Sequence, residues 1–145
     1  MFKRILLATD FSENADAALA VAIDLALHGP RTLEIVHAYR AGVIVLPPPL
    51  DLIGLPTGGP TLDDLQRGLE QRVQQARDKG LHVTSRELVG DPSAEIVSHA
   101  REHKADLIVL GGRGLGLVAH ALLGSVAAKV VRHAPCPVLV VPHAT

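Results

Sequence analysis

Hydrophobic residues along the chain fall into short continuous runs and longer spaced patterns. Four runs rich in Leu, Ile and Val predict strands, and their continuity is typical of parallel strands covered on both faces. A fifth stretch alternates apolar and polar residues, which predicts an edge strand. The four runs are Lys3–Thr9, Thr32–Tyr39, Asp106–Gly111 and Pro137–Val141, and the alternating stretch is Leu81–Val89.

Helical patterns lie between these runs. The first, ENADAALAVAIDLALH, is apolar almost all round, which predicts a largely buried helix that ends near His28. Either Ser12 or Asp10 supplies its N-cap. The next helix is predicted over Leu62–Lys79, with Gly80 as its stop. The third helix is predicted to begin with Asp91 as N-cap and Pro92 as its first residue and to end near Lys104. The last helix is predicted over Ser125–His133, with Pro135 as its stop.

Strands that alternate with helices predict a parallel sheet joined by right-handed crossovers. We therefore expect an α/β fold, a single-domain Rossmann-like open five-stranded parallel sheet flanked by helices, over residues 1–145. One segment breaks the alternation, the Pro/Gly-rich stretch Ala41–Pro60. It is interpreted either as a variable surface insertion or as a lid or partner-contacting loop above a site.

Composition narrows the function. The chain has 145 residues, with 48% hydrophobic residues but only two Phe, one Tyr and no Trp, so its core must be aliphatic. Few aromatic residues and a net charge of −1 argue against a nucleic-acid partner. No apolar stretch approaches the roughly 20 residues that span a membrane, so no membrane association is expected. The single cysteine, Cys136, favours a reduced, cytoplasmic location.

The segment Gly111–Ser125, GGRGLGLVAHALLGS, concentrates glycine. It follows a predicted strand, and open α/β sheets bind ligands beyond the carboxyl ends of their strands, where the strand order reverses. Gly124-Ser125 opens the last helix, whose N–H groups and dipole favour an anion. No acidic residue follows Asp106. The alternative is that these glycines serve only a tight turn and helix–sheet packing.

Two common glycine motifs do not fit this segment. A P-loop requires lysine where Leu117 stands, and a dinucleotide fingerprint over Gly114–Ala119 lacks the later acidic residue for the ribose. The spacing G-x2-G-x9-G-S over Gly111–Ser125 instead resembles the ATP-binding signature of the universal stress protein family. The stretches ILLATDFSENADAAL, LEIVHAY, LVGDPSAEIV and HAPCPVLVV also resemble that family, so the similarity covers nearly the whole chain, and Ala41–Pro60 is its least family-like part.

The resemblance implies a site for ATP, with Mg²⁺ as its companion ion. In the ATP-binding branch the glycine loop wraps the ribose and phosphates, the start of the last helix holds the outer phosphates, and the first two strands meet the adenosine. The implied nucleotide-binding residues are Ala8, Thr9, Asp10, Ala38, Leu110, Gly111, Gly112, Arg113, Gly114, Leu115, Gly116, Leu117, Gly124, Ser125, Val126 and Ala127. Arg113 stands where family members often have His, and as a permanent cation it adds a phosphate contact.

Asp10 has two interpretations that do not exclude each other. It caps the first helix, with Glu13 completing a capping box, or it bonds a ribose or base group.

The resemblance also implies a homodimer through the last strand, Pro137–Val141, because an exposed apolar edge strand needs a cover. The predicted function is that of an ATP-binding universal stress protein that signals through an unknown protein partner, with at most slow ATP hydrolysis. Two alternatives stay open. One is a nucleotide-independent interaction protein of the same fold, and the other is a dinucleotide-dependent oxidoreductase.

Two further features are interpreted as structural. The stretch HAREH, His99–His103, spells an inverted zinc-protease motif, but no third ligand is evident, and both histidines are expected at the solvent-exposed edge of their helix. Cys136 is expected as a small buried apolar residue on the last strand.

Overall fold

The computed structural model describes residues 2–29, 31–41, 60–112 and 123–142. The predicted insertion, apart from its end residues Ala41 and Pro60, lies outside the described residues, as does 113–122. The strands are β1 (Arg4–Ala8), β2 (Thr32–Tyr39), β3 (Val83–Val89), β4 (Leu107–Gly111) and β5 (Val138–Val141), and the helices are α1 (Glu13–Leu27), α2 (Leu62–Arg77), α3 (Pro92–Glu102) and α4 (Ser125–His133).

The strands form one five-stranded sheet in the order β3-β2-β1-β4-β5, and every pair is parallel. The predicted fold class, an open parallel α/β sheet flanked by helices, is confirmed. The alternating strand β3 lies at one edge, as its pattern predicts, and β5 lies at the other edge.

The two faces of the sheet carry different helices. The chain moves from β1 outward to β3 and then crosses to β4 on the other side of β1, so right-handed crossovers place α1 and α2 on one face and α3 and α4 on the other. Side chains of β1 alternate accordingly. Ile5 and Leu7 pack with α1 and α2, whereas Leu6 and Ala8 pack with α3 and α4. Both layers of the core are aliphatic, as the composition requires.

Helix α1 begins at Ser12, whose Oγ accepts a hydrogen bond from the Ala15 N–H at 3.2 Å. Asp10 lies two residues earlier, and its Oδ1 accepts from the Ser12 N–H at 3.0 Å and the Ser12 hydroxyl at 2.5 Å. The predicted capping box of Asp10 and Glu13 is therefore wrong. Glu13 is the first helical residue rather than the third, so its side chain cannot close that box.

Two smaller predictions also change. His99 is buried, not solvent-exposed, because its Nε2 donates to the carboxylate of Glu34 on β2. Cys136 is half-buried in the bend before β5 rather than on the strand, because pairing with β4 begins only at Val138, after Pro137. Burial raises the pKa of the Cys136 thiol, and the charge of Asp106 adds to this.

The N-cap of α3 gives a test by pH. The Asp91 carboxylate accepts from the Ser93 hydroxyl at 2.8 Å and the Ala94 N–H at 3.2 Å and pairs with Arg40, and these contacts, Ser93 first, lower the pKa of Asp91 from 3.8 to about 2. A lowered folded-state pKa stabilises the fold above the unfolded pKa of 3.8, and this contribution disappears as the pH falls through about 2.

We expect Asp91→Asn, which keeps a neutral cap, to lower the free energy of unfolding near neutral pH. The difference from the wild type should shrink between pH 3.8 and about 2. Urea unfolding of the two proteins at a series of pH values measures this difference. A difference that does not change with pH would contradict the role of the Asp91 carboxylate as a charged N-cap.

Candidate functional site

A cavity of about 220 Å³ opens at the carboxyl ends of β1 and β4, where the strand order reverses. Ligands of open α/β sheets bind at this position. The cavity is lined by Ala8, Thr9, Asp10, Ala15, Ala38, Pro92, Ile96, Leu110, Gly111, Gly124, Ser125, Val126 and Ala127.

Most of the residues that the sequence predicts for the site come together here, from the ends of three strands and the first turn of α4. The predicted residues on the wall are Ala8, Thr9, Asp10, Ala38, Leu110, Gly111, Gly124, Ser125, Val126 and Ala127. Gly112 is not on the wall. Arg113, Gly114, Leu115, Gly116 and Leu117 lie outside the described residues.

Three lining residues, Ala15, Pro92 and Ile96, were not predicted. Ala15 belongs to the first turn of α1, and Pro92 and Ile96 belong to the first turns of α3. Helices that follow parallel strands begin at the carboxyl edge of the sheet, so their first turns border any site at that edge. The N-cap and proline that mark the start of α3 are the sequence features that point to this wall.

The wall between β2 and α3 is apolar. Ala38 on β2 and Ile96 on α3 line the cavity here, Leu110 lines it from β4, and the described lining contains no aromatic side chain. Two contacts hold this wall together next to the cavity. The Gly90 N–H donates to the Tyr39 carbonyl oxygen at 2.9 Å, and Arg40 pairs with the N-cap Asp91.

The opposite end of the cavity is polar. Gly124 is the N-cap of α4, and no described side chain caps this helix, whereas Ser12, Thr61 and Asp91 cap α1, α2 and α3. The first turn of α4 has no acidic residue, and the last turn carries Arg132 and His133. The N–H groups of this first turn and the helix dipole therefore favour a negatively charged group at this end of the cavity.

The end of β1 supplies the remaining polar groups. Thr9 is buried, its N–H donates to the Val36 carbonyl oxygen at 2.9 Å, and its hydroxyl accepts from the Phe11 N–H at 3.1 Å. Phe11 has a left-handed φ of 67°. This conformation turns the chain sharply after Asp10, so that Thr9 and Asp10 border the cavity before α1 begins.

Comparison with known proteins identifies the family of this chain. The model of the universal stress protein family matches residues 1–142. The chain belongs to the universal stress protein family. A relative from Thermus aquaticus, described as universal stress protein in QAH/OAS sulfhydrylase 3'region, is 44% identical over 148 residues, which cover 97% of this chain and 99% of the relative.

Solved structures of the universal stress protein fold superpose over the whole chain. That of the hypothetical protein MJ0577 has a TM-score of 0.82 at 24% identity and covers 100% of this chain and 99% of its own, which shows the fold. A universal stress protein solved in complex with cAMP has a TM-score of 0.74 at 28% identity, with 99% of this chain and 98% of that chain covered.

Other kinds of site find no support in the described part of this family member. Its described residues contain no group of three or more His, Cys, Asp and Glu side chains that could hold a metal ion. No helix there has the length and apolar character needed to cross a membrane.

Gly112 does not line the cavity, but its main chain holds together the elements that border it. Its N–H donates to the Val141 carbonyl oxygen at 2.9 Å, and its own carbonyl oxygen accepts from the Gly124 N–H at 2.5 Å. Gly112 therefore joins the ends of β4 and β5 to the start of α4. This main-chain connection fixes the position of the uncapped helix terminus.

Gly111 lies where β4 meets the first turn of α1. A Cβ at this position would be 3.0 Å from the backbone C and O atoms of Asn14 and 3.2 Å from the Ala15 N atom. These are backbone atoms of a helix, so they cannot move aside without shifting α1. Glycine is therefore required here for a close approach between β4 and α1, whatever the cavity holds.

We expect Gly111→Ala to lower the free energy of unfolding by about 1–3 kcal/mol, the usual cost of overfilling a packed contact. Gly29→Ala is the matched control, because a Cβ there meets only the Arg31 side chain, from 3.5 Å outward. That change should stay within about 0.5 kcal/mol. Urea unfolding compares the two variants, and equal stabilities would show that the close approach is not limiting.

Proposed function

We propose that this protein binds an adenine nucleotide, ATP with Mg²⁺ in the first instance, in the cavity between β1 and β4. The observation that carries the proposal is the combination of an apolar wall at one end of this cavity with an uncapped helix N-terminus at the other. A nucleotide has the same division, a flat apolar base and an anionic phosphate chain.

The base fits the apolar wall of Ala38 and Ile96 between β2 and α3. The described lining has no aromatic ring for stacking, so aliphatic contacts and main-chain hydrogen bonds would hold it. Thr9 and Asp10, at the turn after β1, would meet the ribose or the polar edge of the base. The Asp10 carboxylate already accepts two hydrogen bonds from Ser12, which fixes its orientation toward that role.

The phosphates fit the first turn of α4, where Ser125 adds a hydroxyl to the N–H groups. The glycine-loop residues Arg113–Leu117, which the resemblance assigns to the ribose and phosphates, would complete this end. Mg²⁺ commonly binds through one or two carboxylates together with the phosphates of the substrate. Asp10 is the one carboxylate in the described lining, so the ion would arrive with the nucleotide rather than occupy a site of its own.

The relative solved with cAMP supports an adenine nucleotide as the ligand class, because it is 28% identical over almost the whole chain. Binding rather than catalysis is the proposed role. Asp10 is the only titratable side chain in the described lining, and Ser12 already engages its carboxylate. At most a slow hydrolysis is expected.

We propose that the protein is cytoplasmic and forms one domain over residues 1–145. In this proposal it is a homodimer through β5 and signals to a protein partner in a nucleotide-dependent way. An interaction protein with the same fold but no nucleotide affinity is the main alternative. A dinucleotide-dependent oxidoreductase is less favoured, because no acidic residue follows Asp106 to bind the second ribose.

Filling the base end of the cavity tests the site. Ala38→Leu should weaken ATP or cAMP binding about tenfold or more, which corresponds to about 1.4 kcal/mol, because the larger side chain occupies the space for the base. Ala20→Leu, on the exposed side of α1, is the matched control and should bind as the wild type does. Titration calorimetry with Mg-ATP, cAMP and NADH compares them.

Tighter binding of NADH than of ATP would favour the oxidoreductase, and no binding of any nucleotide would favour the interaction protein. Denaturing the purified protein and separating the supernatant by anion exchange adds an independent measurement, since a tightly bound adenine nucleotide would be released and identified.

The proposed dimer has its own test. Leu139 is 37% exposed on the edge strand β5, and a lysine there would place unpaired charges in a two-fold interface. We expect Leu139→Lys to change the sedimentation of the protein from dimer to monomer. Val89→Lys, at the other edge strand where Val89 is 54% exposed, should leave the dimer intact. A wild type that sediments as a monomer would refute the dimer.

A further inference from the structure

Two buried polar atoms lie on the sheet face opposite the cavity, and neither has a hydrogen-bond partner among the described residues. They are Nε2 of His37, a residue only 7% exposed, and Oε1 of Glu87. The two residues are paired in the register of β2 and β3, so their side chains leave the same face of neighbouring strands about 4.8 Å apart. An unsatisfied buried polar atom destabilises the fold, so this arrangement requires an explanation.

The other ring nitrogen of His37 provides the explanation. His37 Nδ1 lies 2.8 Å from the Thr9 carbonyl oxygen. A carbonyl oxygen only accepts, so Nδ1 must carry the hydrogen, and a neutral ring then has a bare lone pair at Nε2. The hydrogen on Nδ1 is therefore committed to Thr9. In the Nδ1–H tautomer, Nε2 and Glu87 Oε1 are then two acceptors with no donor among the described residues.

The ring is also held in place by stacking. Its centroid lies 4.2 Å from that of Phe11 and 5.6 Å from that of Tyr39. Phe11 is fixed in turn by α2. Arg72 lies 4.8 Å from the centroid of the Phe11 ring and donates to the Phe11 carbonyl oxygen at 3.2 Å. A Cβ on Gly68 would lie only 3.2 Å from the Phe11 ring, so glycine gives the ring its space.

We propose that His37, as its Nδ1–H tautomer, is a positioning residue for the nucleotide site. It lies on the opposite face of the sheet from the cavity, yet it holds the carbonyl group of Thr9, whose neighbour Asp10 shares the cavity wall with it. The cost of the two unsatisfied acceptors is offset by a fixed turn at the end of β1. This inference rests on the proposed nucleotide binding and specifies how the site keeps its shape.

Substitutions at His37 separate positioning from general stability. His37→Leu removes the donor to Thr9 and should weaken ATP or cAMP binding about five- to tenfold, the usual range for one lost hydrogen bond. His37→Asn should restore the affinity to within about twofold, because its amide N–H can take the place of Nδ1–H.

The matched control is His99→Leu. His99 is 5% exposed, similar to His37, but it pairs with Glu34 near the other end of the sheet and does not line the cavity. The His99→Leu variant should be less stable than the wild type in urea unfolding, but it should bind the nucleotide with unchanged affinity in titration calorimetry.

Two spectroscopic measurements on the wild type do not depend on the variants folding. Nitrogen-15 NMR of the histidine rings should show His37 protonated at Nδ1. Tyr39 is the only tyrosine and the chain has no tryptophan, so its emission reports on the stack directly. Nucleotide binding should change this emission in the wild type and not in His37→Leu.

The outcomes are distinct. A wild type that binds no nucleotide overturns the proposed function, and this inference with it. A wild type that binds, together with a His37→Leu variant that binds equally well, overturns the positioning role alone. The same conclusion follows if His99→Leu weakens binding as much as His37→Leu does, if His37→Asn does not restore it, or if the NMR spectrum shows a neutral His37 protonated only at Nε2.

Discussion

The reversal of strand order between β1 and β4 is the constraint on which the site depends. Because crossovers are right-handed, the helix that follows β1 and the helix that follows β4 lie on opposite faces of the sheet. Neither covers the space between the carboxyl ends of these two strands. The same adjacency brings the end of β4 within close contact of the first turn of α1, so Gly111 and the cavity result from one topological feature.

Main-chain groups, more than side chains, shape the two ends of this cavity. The Gly112 carbonyl oxygen accepts from the Gly124 N–H and sets the start of α4, and the Thr9 N–H donates to Val36 and sets the end of β1. A chain with two Phe, one Tyr and no Trp has few large side chains for building a binding surface. A site in such a chain depends on main-chain groups that are held firmly, and at Gly111 only glycine permits the close contact that holds them.

Local features of the sequence predict the elements, but they do not predict contacts between distant parts of the chain. Asp91 and Pro92 mark the start of α3 correctly because caps act over a few residues, whereas α2 ends at Arg77, two residues before the predicted Lys79, and Gly80 lies in the turn that follows. The burial of His99 could not be read in this way, since its partner Glu34 lies 65 residues away. The cavity wall formed by Ala15 and Ile96 requires the order of the strands, which no local pattern contains.

The choice between Asp10 and Ser12 as helix cap shows where local reasoning fails within a few residues. Both types are good N-caps, and only the left-handed φ of Phe11 moves the start of the helix to Ser12. Nothing in a phenylalanine favours that conformation. It is tolerated here because Arg72 of α2 contacts the Phe11 ring and donates to the Phe11 carbonyl oxygen. Helix α2 begins about fifty residues later in the sequence, so no local pattern around Phe11 contains these contacts.

The two readings of the glycine segment, packing and ligand binding, are therefore compatible. At Gly111 the requirement for glycine is steric, because the backbone of α1 occupies the space of a side chain. At Gly112 both main-chain polar groups are used to join β5 and α4. Packing at these two positions fixes the α4 N-terminus beside the end of β1. The packing of these glycines thus fixes the position of the helix N-terminus at which the phosphates are proposed to bind.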